Sequence, residues 1–429
     1  MAAMPLPFLL NRIAGLLSLL LLLTGGWFIA DWARQENRSD VWLYLGSFLL
    51  AFSLFGRLAV MRLLAAGSPE PEVSSDDLRH GEGETITGSG GAKLHVECFG
   101  PRDAPVLILT HGAGLDRTLW NRTVRDLCER YRVLVWDLPG VGLSHRPFDG
   151  HYSLDRFAMD LGAVLLLANG KPTVLVGHGL GGMAALKLCA EDRRLTRHVR
   201  GLALFHTPDG PPVEAGAEAA WLKPLEPWVI APLQRLSILL SPLTHLGAWA
   251  AYLNGLWHLV VRAAGFGDAP HAADIERVAL MSTRHAPSVQ AKHALAMRSW
   301  RAEGLVEALD LPMLVVAGGS DNQVCPPSVQ ALAARSVWAE PAVVERAGHL
   351  GPLEQAGDYD RLLARFAERV FRQTRAQRHA EVLAKQSEAV EIHSEGRSWA
   401  SGGPATPGEP PVEPTTRSAS GHSASAGRA

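Results

Sequence analysis

Residues 13–30, IAGLLSLLLLLTGGWFIA, run for eighteen positions without a charge and restrict the fold more than any other stretch. At about 1.5 Å per residue, a helix of this length covers roughly 27 Å, close to the hydrocarbon thickness of a bilayer. From Leu16 to Leu23 the helix is apolar around its whole circumference, so it offers no solvent side and does not suit a helix lying on a globular core. The flank Ala30-Asp31-Trp32-Ala33 carries a charge and a large ring, which argues against a cleavable signal peptide.

A polar loop, residues 31–40, leads to a second apolar run over 41–56. Arg57 interrupts this run and Leu58, Ala59 and Val60 extend it. An arginine near the end of a span can reach the headgroups along its own aliphatic stem. Trp27, Trp32, Trp42 and Tyr44 gather on the loop side, as an interfacial aromatic belt does. Residues 1–66 are therefore expected to form a transmembrane hairpin with spans at about 13–30 and 41–60. Arg12, Arg57 and Arg62 flank the spans on one side, against Arg34 and Arg38 in the loop. This small bias favours both ends, and the domain that follows, in the cytoplasm.

A formal net charge of −2, with no long block of like charge, gives no electrostatic footprint for nucleic acid. Cys98, Cys128, Cys189 and Cys325 are scattered, none in a C-x-x-C pair or beside histidine at metal spacing. Reduced thiols are expected, and neither a metal nor an organic cofactor.

After a linker over 67–79, a repeating pattern begins near residue 80 and continues to about 375. Short β-rich apolar runs at 93–99, 106–110, 132–136, 173–177, 199–205, 313–317 and 342–345 alternate with helical stretches. That alternation predicts an α/β fold, a mostly parallel central sheet with helices on both faces. Three strand ends carry distinctive turns. VLILTHGAGLD puts His111-Gly112 just past a strand, where glycine lets backbone amides swing toward a reacting oxygen. VLVWDLPGVGLSHRP follows its strand with a glycine-rich turn holding Asp137, Gly140, Gly142 and Ser144. TVLVGHGLGGMAAL runs from a strand through Gly177, His178, Gly179, Leu180 and Gly181 into a helix.

In this order and spacing the three segments resemble the α/β-hydrolase superfamily of esterases and lipases, over roughly residues 85–372. The third stands where that family has its nucleophile elbow, G-x-S-x-G. The resemblance implies that residue 179 is the nucleophile position, and it is Gly179. It also implies Asp321, in GGSDNQVCPP, as the acid and His349, in ERAGHLGPLE, as the histidine. An oxyanion hole would use the backbone N–H groups of Leu180 and Ala113. Asp209 is an alternative acid. His178 and His111 are read as structural.

Covalent acyl transfer needs an oxygen or sulfur at the elbow, and glycine offers only hydrogen. Three readings follow. His349 and Asp321 could activate water for direct attack on a carbonyl. The protein could be a catalytically dead binding or scaffold module at the membrane. Ser144 or Cys325 could supply a displaced nucleophile, although Ser144 matches a structural turn position in the family. A helical cap is expected over 208–300. Its residues 236–261 carry no charged side chain and hold Trp249, Tyr252 and Trp257. Pro242, His245, Asn254 and His258 suit broken amphipathic helices better than a third span. The strands flanking the insert must also meet in one sheet, so a single crossing is excluded. The cap is read as an apolar lid, either resting on the membrane or packed only on the core. It suggests a hydrophobic small-molecule substrate. Residues 376–395 are read as a helical extension, and 396–429, rich in Ser, Gly, Pro, Ala and Thr, as a disordered tail.

Overall fold

The structure, a computed structural model, describes residues 5–34, 39–68, 81–217, 219–373, 377 and 380. Most of the linker, the helical extension apart from residues 377 and 380, and the tail read from the sequence lie outside these residues. The apolar runs become strands β2 (Lys93–Phe99), β3 (Val106–Thr110), β4 (Arg132–Trp136), β5 (Thr173–His178), β6 (Val199–Phe205) and β7 (Met313–Gly318). They join β1 (Glu82–Thr87) and β8 (Ala339–Val344) in one eight-stranded sheet of order β1-β2-β4-β3-β5-β6-β7-β8. β1 and β2 run antiparallel to their neighbours; every pairing from β4 to β8 is parallel. β3, β5 and β7 are buried along their whole length, which is why they read as continuous apolar runs.

The sequence reading missed β1 because EGETIT has no apolar face. Five of its six residues are exposed, and only its ladder to β2 makes it a strand. β8 begins three residues before the expected start, at the opposite edge. Its first half contains Pro341, which an edge strand tolerates and a central one does not.

Helices α3 (Asn121–Leu127), α4 (Leu154–Leu165) and α5 (Leu180–Glu191) connect the first strands. Between β6 and β7 lies an all-helical cap: α6 (Pro212–Ala215), α7 (Ala219–Leu225), α8 (Ala231–Leu239), α9 (Ser241–Leu253), α10 (Leu256–Gly265), α11 (Ala272–Arg284) and α12 (Pro287–Met297). The chain bends by 99° between α8 and α9, and β6 pairs directly with β7, so the cap departs from and returns to one side of the sheet. α13 (Pro326–Ala334), α14 (Gly351–Glu354) and α15 (Ala356–Arg372) complete the domain. α14 and α15 are separated by a break at Gln355.

The two N-terminal helices, α1 (Pro5–Arg34) and α2 (Asp40–Ala66), are long and apolar enough to cross a membrane. Their inner halves are also welded to the cap. Gly15 of α1 meets Gly247 of α9 so closely that a Cβ on either would lie 3.1–3.3 Å from the other's backbone. Asn254 Nδ2 donates to Ser18 Oγ at 2.7 Å. Arg57 does not turn to the headgroups: it donates to the Tyr252 hydroxyl at 2.6 Å, pairs with Glu276, and lies 4.9 Å above the Tyr252 ring. Burial opposes the charge on Glu276, but hydrogen bonds from His258 and Tyr252 and the nearby Arg57 charge hold its pKa down at about 2.

One buried acid yields a stability prediction. Asp360 on α15 is 5% exposed, and burial raises its pKa from 3.8 to about 7. Between those values the folded chain holds a proton that the unfolded chain has released. Its contribution to stability is therefore present in acid and lost as pH rises toward 7, by about 1.4 kcal/mol per pH unit. Asp360→Asn, neutral at every pH, should raise the melting temperature by several degrees more at pH 8.5 than at pH 5. Equal shifts at both pH values in parallel thermal scans would refute this.

Candidate active site

β5 ends at His178 and α5 begins at Leu180, so Gly179 alone makes the turn, with φ 50° and ψ −110°. A side chain is strained at such a φ, by about 1–3 kcal/mol, and glycine is not. The Gly179 N–H donates to the Phe205 carbonyl at 2.9 Å, and its own carbonyl accepts from Met183 N–H at 3.1 Å. A Cβ at Gly181 would lie 2.4 Å from the Thr110 carbonyl oxygen, so glycine is what lets the elbow rest on the end of β3; Gly177 packs as tightly on Gly182 N. At Gly179 itself a Cβ would meet nothing nearer than the His206 carbonyl, 3.9 Å away. The elbow keeps its shape and has room for a side chain it does not carry.

The loop after β7 brings Asp321 and the loop after β8 brings His349 together, with Asp321 Oδ2 2.9 Å from His349 Nδ1. Asp321 Oδ1 accepts from the backbone N–H groups of Gln323 (2.8 Å) and Val324 (3.0 Å). A second imidazole, not foreseen from the sequence, shares the same carboxylate oxygen: His206 Nδ1 lies 2.7 Å from Asp321 Oδ2, and His206 Nε2 lies 2.7 Å from the Tyr359 hydroxyl. All four side chains are buried. His206 has φ 51°, one of two non-glycine residues with positive φ among the described residues. The one signal that could have found it was position, since it directly follows β6 at the same sheet end as the other site loops.

Burial opposes ionisation of Asp321, but the His349 charge and hydrogen bonds from both imidazoles outweigh it and hold the acid well below the carboxylate range. A carboxylate only accepts, so both Nδ1 atoms carry the proton. Burial also pushes the Tyr359 hydroxyl up, keeping it neutral, and it donates to His206 Nε2. Burial lowers the His349 pKa against the pull of Asp321, so its ring is neutral at neutral pH with an unprotonated Nε2. That nitrogen has no hydrogen-bond partner among the described residues. His206, Asp321 and His349 place three metal-type donors within 4.8 Å of one another. The two Nδ1 atoms nevertheless sit at hydrogen-bond distance from a single oxygen, which leaves space for protons and none for an ion.

His178 donates from Nε2 to the His349 carbonyl at 2.8 Å, with the two rings 4.8 Å apart edge to face, so it positions the base. His111 accepts from Leu138 N–H at 3.0 Å and donates to the Gly112 carbonyl at 2.8 Å, tying the β3 turn to the β4 turn. Leu180 is the first residue of α5, and Ala113 sits two positions past His111; both are buried. The other nucleophile candidates are engaged elsewhere. Ser144 Oγ donates to the Asp137 carbonyl at 2.6 Å and accepts from His95 N–H at 2.8 Å. The Cys325 thiol faces the Asn322 carbonyl at the start of α13. Asp209, the alternative acid, pairs with Arg335.

A sharp elbow, an acid and a histidine after the parallel strands β5, β7 and β8, beneath a helical cap, define an α/β hydrolase. The chain matches the Alpha/beta hydrolase family over residues 107–364 and belongs to it. It is 31% identical over 140 residues to a non-heme chloroperoxidase of Streptomyces lividans, covering 30% of this chain and 50% of that one. It is 36% identical over 98 residues to a bifunctional esterase/perhydrolase of Acinetobacter calcoaceticus, covering 23% and 35%. The chain thus spans half or less of the length of these relatives. Among solved structures, a thermophilic esterase from Thermogutta terrifontis is 26% identical, covers 67% of this chain and 99% of its own, and superposes with a TM-score of 0.55. A bacterial membrane phospholipase A, 18% identical, shares the fold over 78% of this chain and 97% of its own, with a TM-score of 0.55.

Proposed function

We propose that the protein is a membrane-anchored hydrolase of hydrophobic ester-like or lipid-like small molecules in which His349, oriented by Asp321, activates water for direct attack. The observation that carries this reading is the 2.9 Å approach of His349 Nδ1 to Asp321 Oδ2, with the His349 ring against His178 of an elbow whose next residue, Gly179, has no oxygen. A water at the place of the missing hydroxyl would lose its proton to Nε2 as its oxygen bonds the carbonyl carbon. The charge developing on the carbonyl oxygen would meet the amides of Leu180 and Ala113. Serine proteases stripped of triad members keep about 10³–10⁴-fold catalysis over water through such a hole and binding alone. The hairpin would hold the domain on the cytoplasmic face.

Gly179 itself favours a second reading, a catalytically silent binding module at the membrane. The two separate on His349→Ala in the full-length protein, assayed on medium-chain p-nitrophenyl esters. Water activation predicts loss of the wild type's residual turnover; a binding module predicts no change in rate. The pH profile gives an independent check. A base must be unprotonated, and burial lowers the His349 pKa from 6.5. Turnover should therefore fall on acidification, with a midpoint below 6.5. A rate that rises on acidification would count against a histidine base.

A further inference from the structure

Beside the Asp321 loop, α1 and the cap border a half-open cavity of about 120 Å³. Its walls are Leu6 and Leu10 of α1, Val213 and Leu222 of the cap, Ala264 of α10, and Gln323; among the described residues no charged side chain lines it. Gln323 is 6% exposed. Its Nε2 donates to the Ala264 carbonyl, which fixes the orientation of the amide and makes Oε1 the acceptor. Oε1 has no hydrogen-bond partner among the described residues. A buried carbonyl oxygen without a donor is costly, and in an apolar cavity the missing donor is one that a ligand can bring.

Two links place this cavity against the reacting groups. The Gln323 N–H holds Asp321 Oδ1. The N–H of Leu350, the residue after His349, donates at 2.8 Å to the carbonyl of Gly265, the residue after Ala264. On the other side the wall is α1 itself, a helix of membrane-spanning length and composition. The cap segment welded to it presents Leu236, Leu239, Leu243, Leu246 and Trp249 outward. Apolar side chains this dense on a surface next to a membrane helix match hydrocarbon, not water.

We propose that the cavity is the inner end of a lateral entry from the bilayer, and that it takes a neutral single-chain acyl amphiphile with a hydroxyl on its head, of the monoacylglycerol type. The chain lies between α1 and the cap and the hydroxyl donates to Gln323 Oε1. The described lining offers no cation to pair with an anionic head, so a neutral head fits it better. The volume is below the roughly 150 Å³ of an apolar cavity that admits one benzene, so it takes one chain segment and not two. The inference rests on the membrane-anchored reading above, but binding does not require turnover.

The full-length protein in phosphatidylcholine nanodiscs is photolabelled with a diazirine monoacylglycerol and, separately, with its di-O-methyl ether. The free glycerol should label the protein at least tenfold more strongly than the ether, with label on α1 and α10. Ala264→Trp or Leu10→Trp, approaching the cavity from opposite walls, should each cut labelling tenfold. Gln323→Leu should keep the label and bring the preference for free hydroxyls to within twofold. Labelling unchanged in the tryptophan variants that still melt cooperatively, or no preference in the wild type, would overturn the proposal. Wild-type labelling as expected without fatty-acid release would defeat the hydrolase reading and leave the entry standing. Ester turnover without cavity-dependent labelling would do the reverse.

Discussion

Gly179→Ser is expected to convert the protein into an esterase with burst-phase kinetics and turnover raised on the order of 10³-fold or more. The backbone at residue 179 already has the elbow conformation, φ 50° and ψ −110°. A Cβ there meets no atom beyond its chain neighbours closer than 3.9 Å, so the new Cβ enters without displacing them. His349 Nε2 is unprotonated and able to take the hydroxyl proton, while Asp321 stays ionised to stabilise the imidazolium that forms. The cost falls on stability. Serine loses glycine's freedom at positive φ, and the variant should be less stable by about 1–3 kcal/mol. Gain of activity with loss of stability is a joint signature that a change elsewhere in the pocket would not give. A stopped-flow burst on p-nitrophenyl esters, together with thermal scans, reads both. A serine variant that melts lower yet acylates no faster than wild type would show that more than the nucleophile has changed, and would move the weight to the binding reading.

The parts that could be read from the chain are those in which one local pattern has one structural solution. Buried parallel strands announce themselves as unbroken apolar runs, and the glycines at 177, 179 and 181 mark a turn: close backbone approach explains Gly177 and Gly181, and a positive φ explains Gly179. Asp321 and His349 lie twenty-eight residues apart in sequence; the resemblance to a family, not any spacing rule, paired them. What stayed hidden depends on tertiary neighbours. β1 is a strand by virtue of its partner, and Pro341 masks the first half of β8. His206 stands in FHTPDG with no motif around it; its role appears only when the sheet brings three strand ends together. Arg57 illustrates the same limit in a membrane segment. A lone arginine near the end of an apolar run reads as a headgroup anchor, whereas Tyr252 and Glu276, about two hundred residues on, supply its partners. The Gly15–Gly247 contact likewise belongs to two helices whose sequences say nothing about each other.

Asp321→Asn, made in the Gly179→Ser protein, should remove about 10³–10⁴-fold of the restored rate while leaving the fold intact. The reason is the direction of the hydrogen bonds. Asp321 accepts two backbone N–H groups on Oδ1 and two imidazole Nδ1–H groups on Oδ2. An amide can accept on one side only. The Gln323 and Val324 amides cannot change their character, so the asparagine oxygen faces them and its NH₂ faces the histidines. Both Nδ1 atoms must then become acceptors, and the proton of His349 moves to Nε2, the atom that has to be bare to act as a base. Loss of the carboxylate also removes the charge that stabilises the imidazolium. A comparable exchange in a serine protease costs about 10⁴ in kcat with its geometry unchanged. The expected outcome is a collapse of kcat with little change in KM, an unchanged cooperative melt, and an imidazole Nε2–H on residue 349 by proton NMR. A variant that keeps its rate would mean that His349 does not act through Asp321, and that the base lies elsewhere in the site.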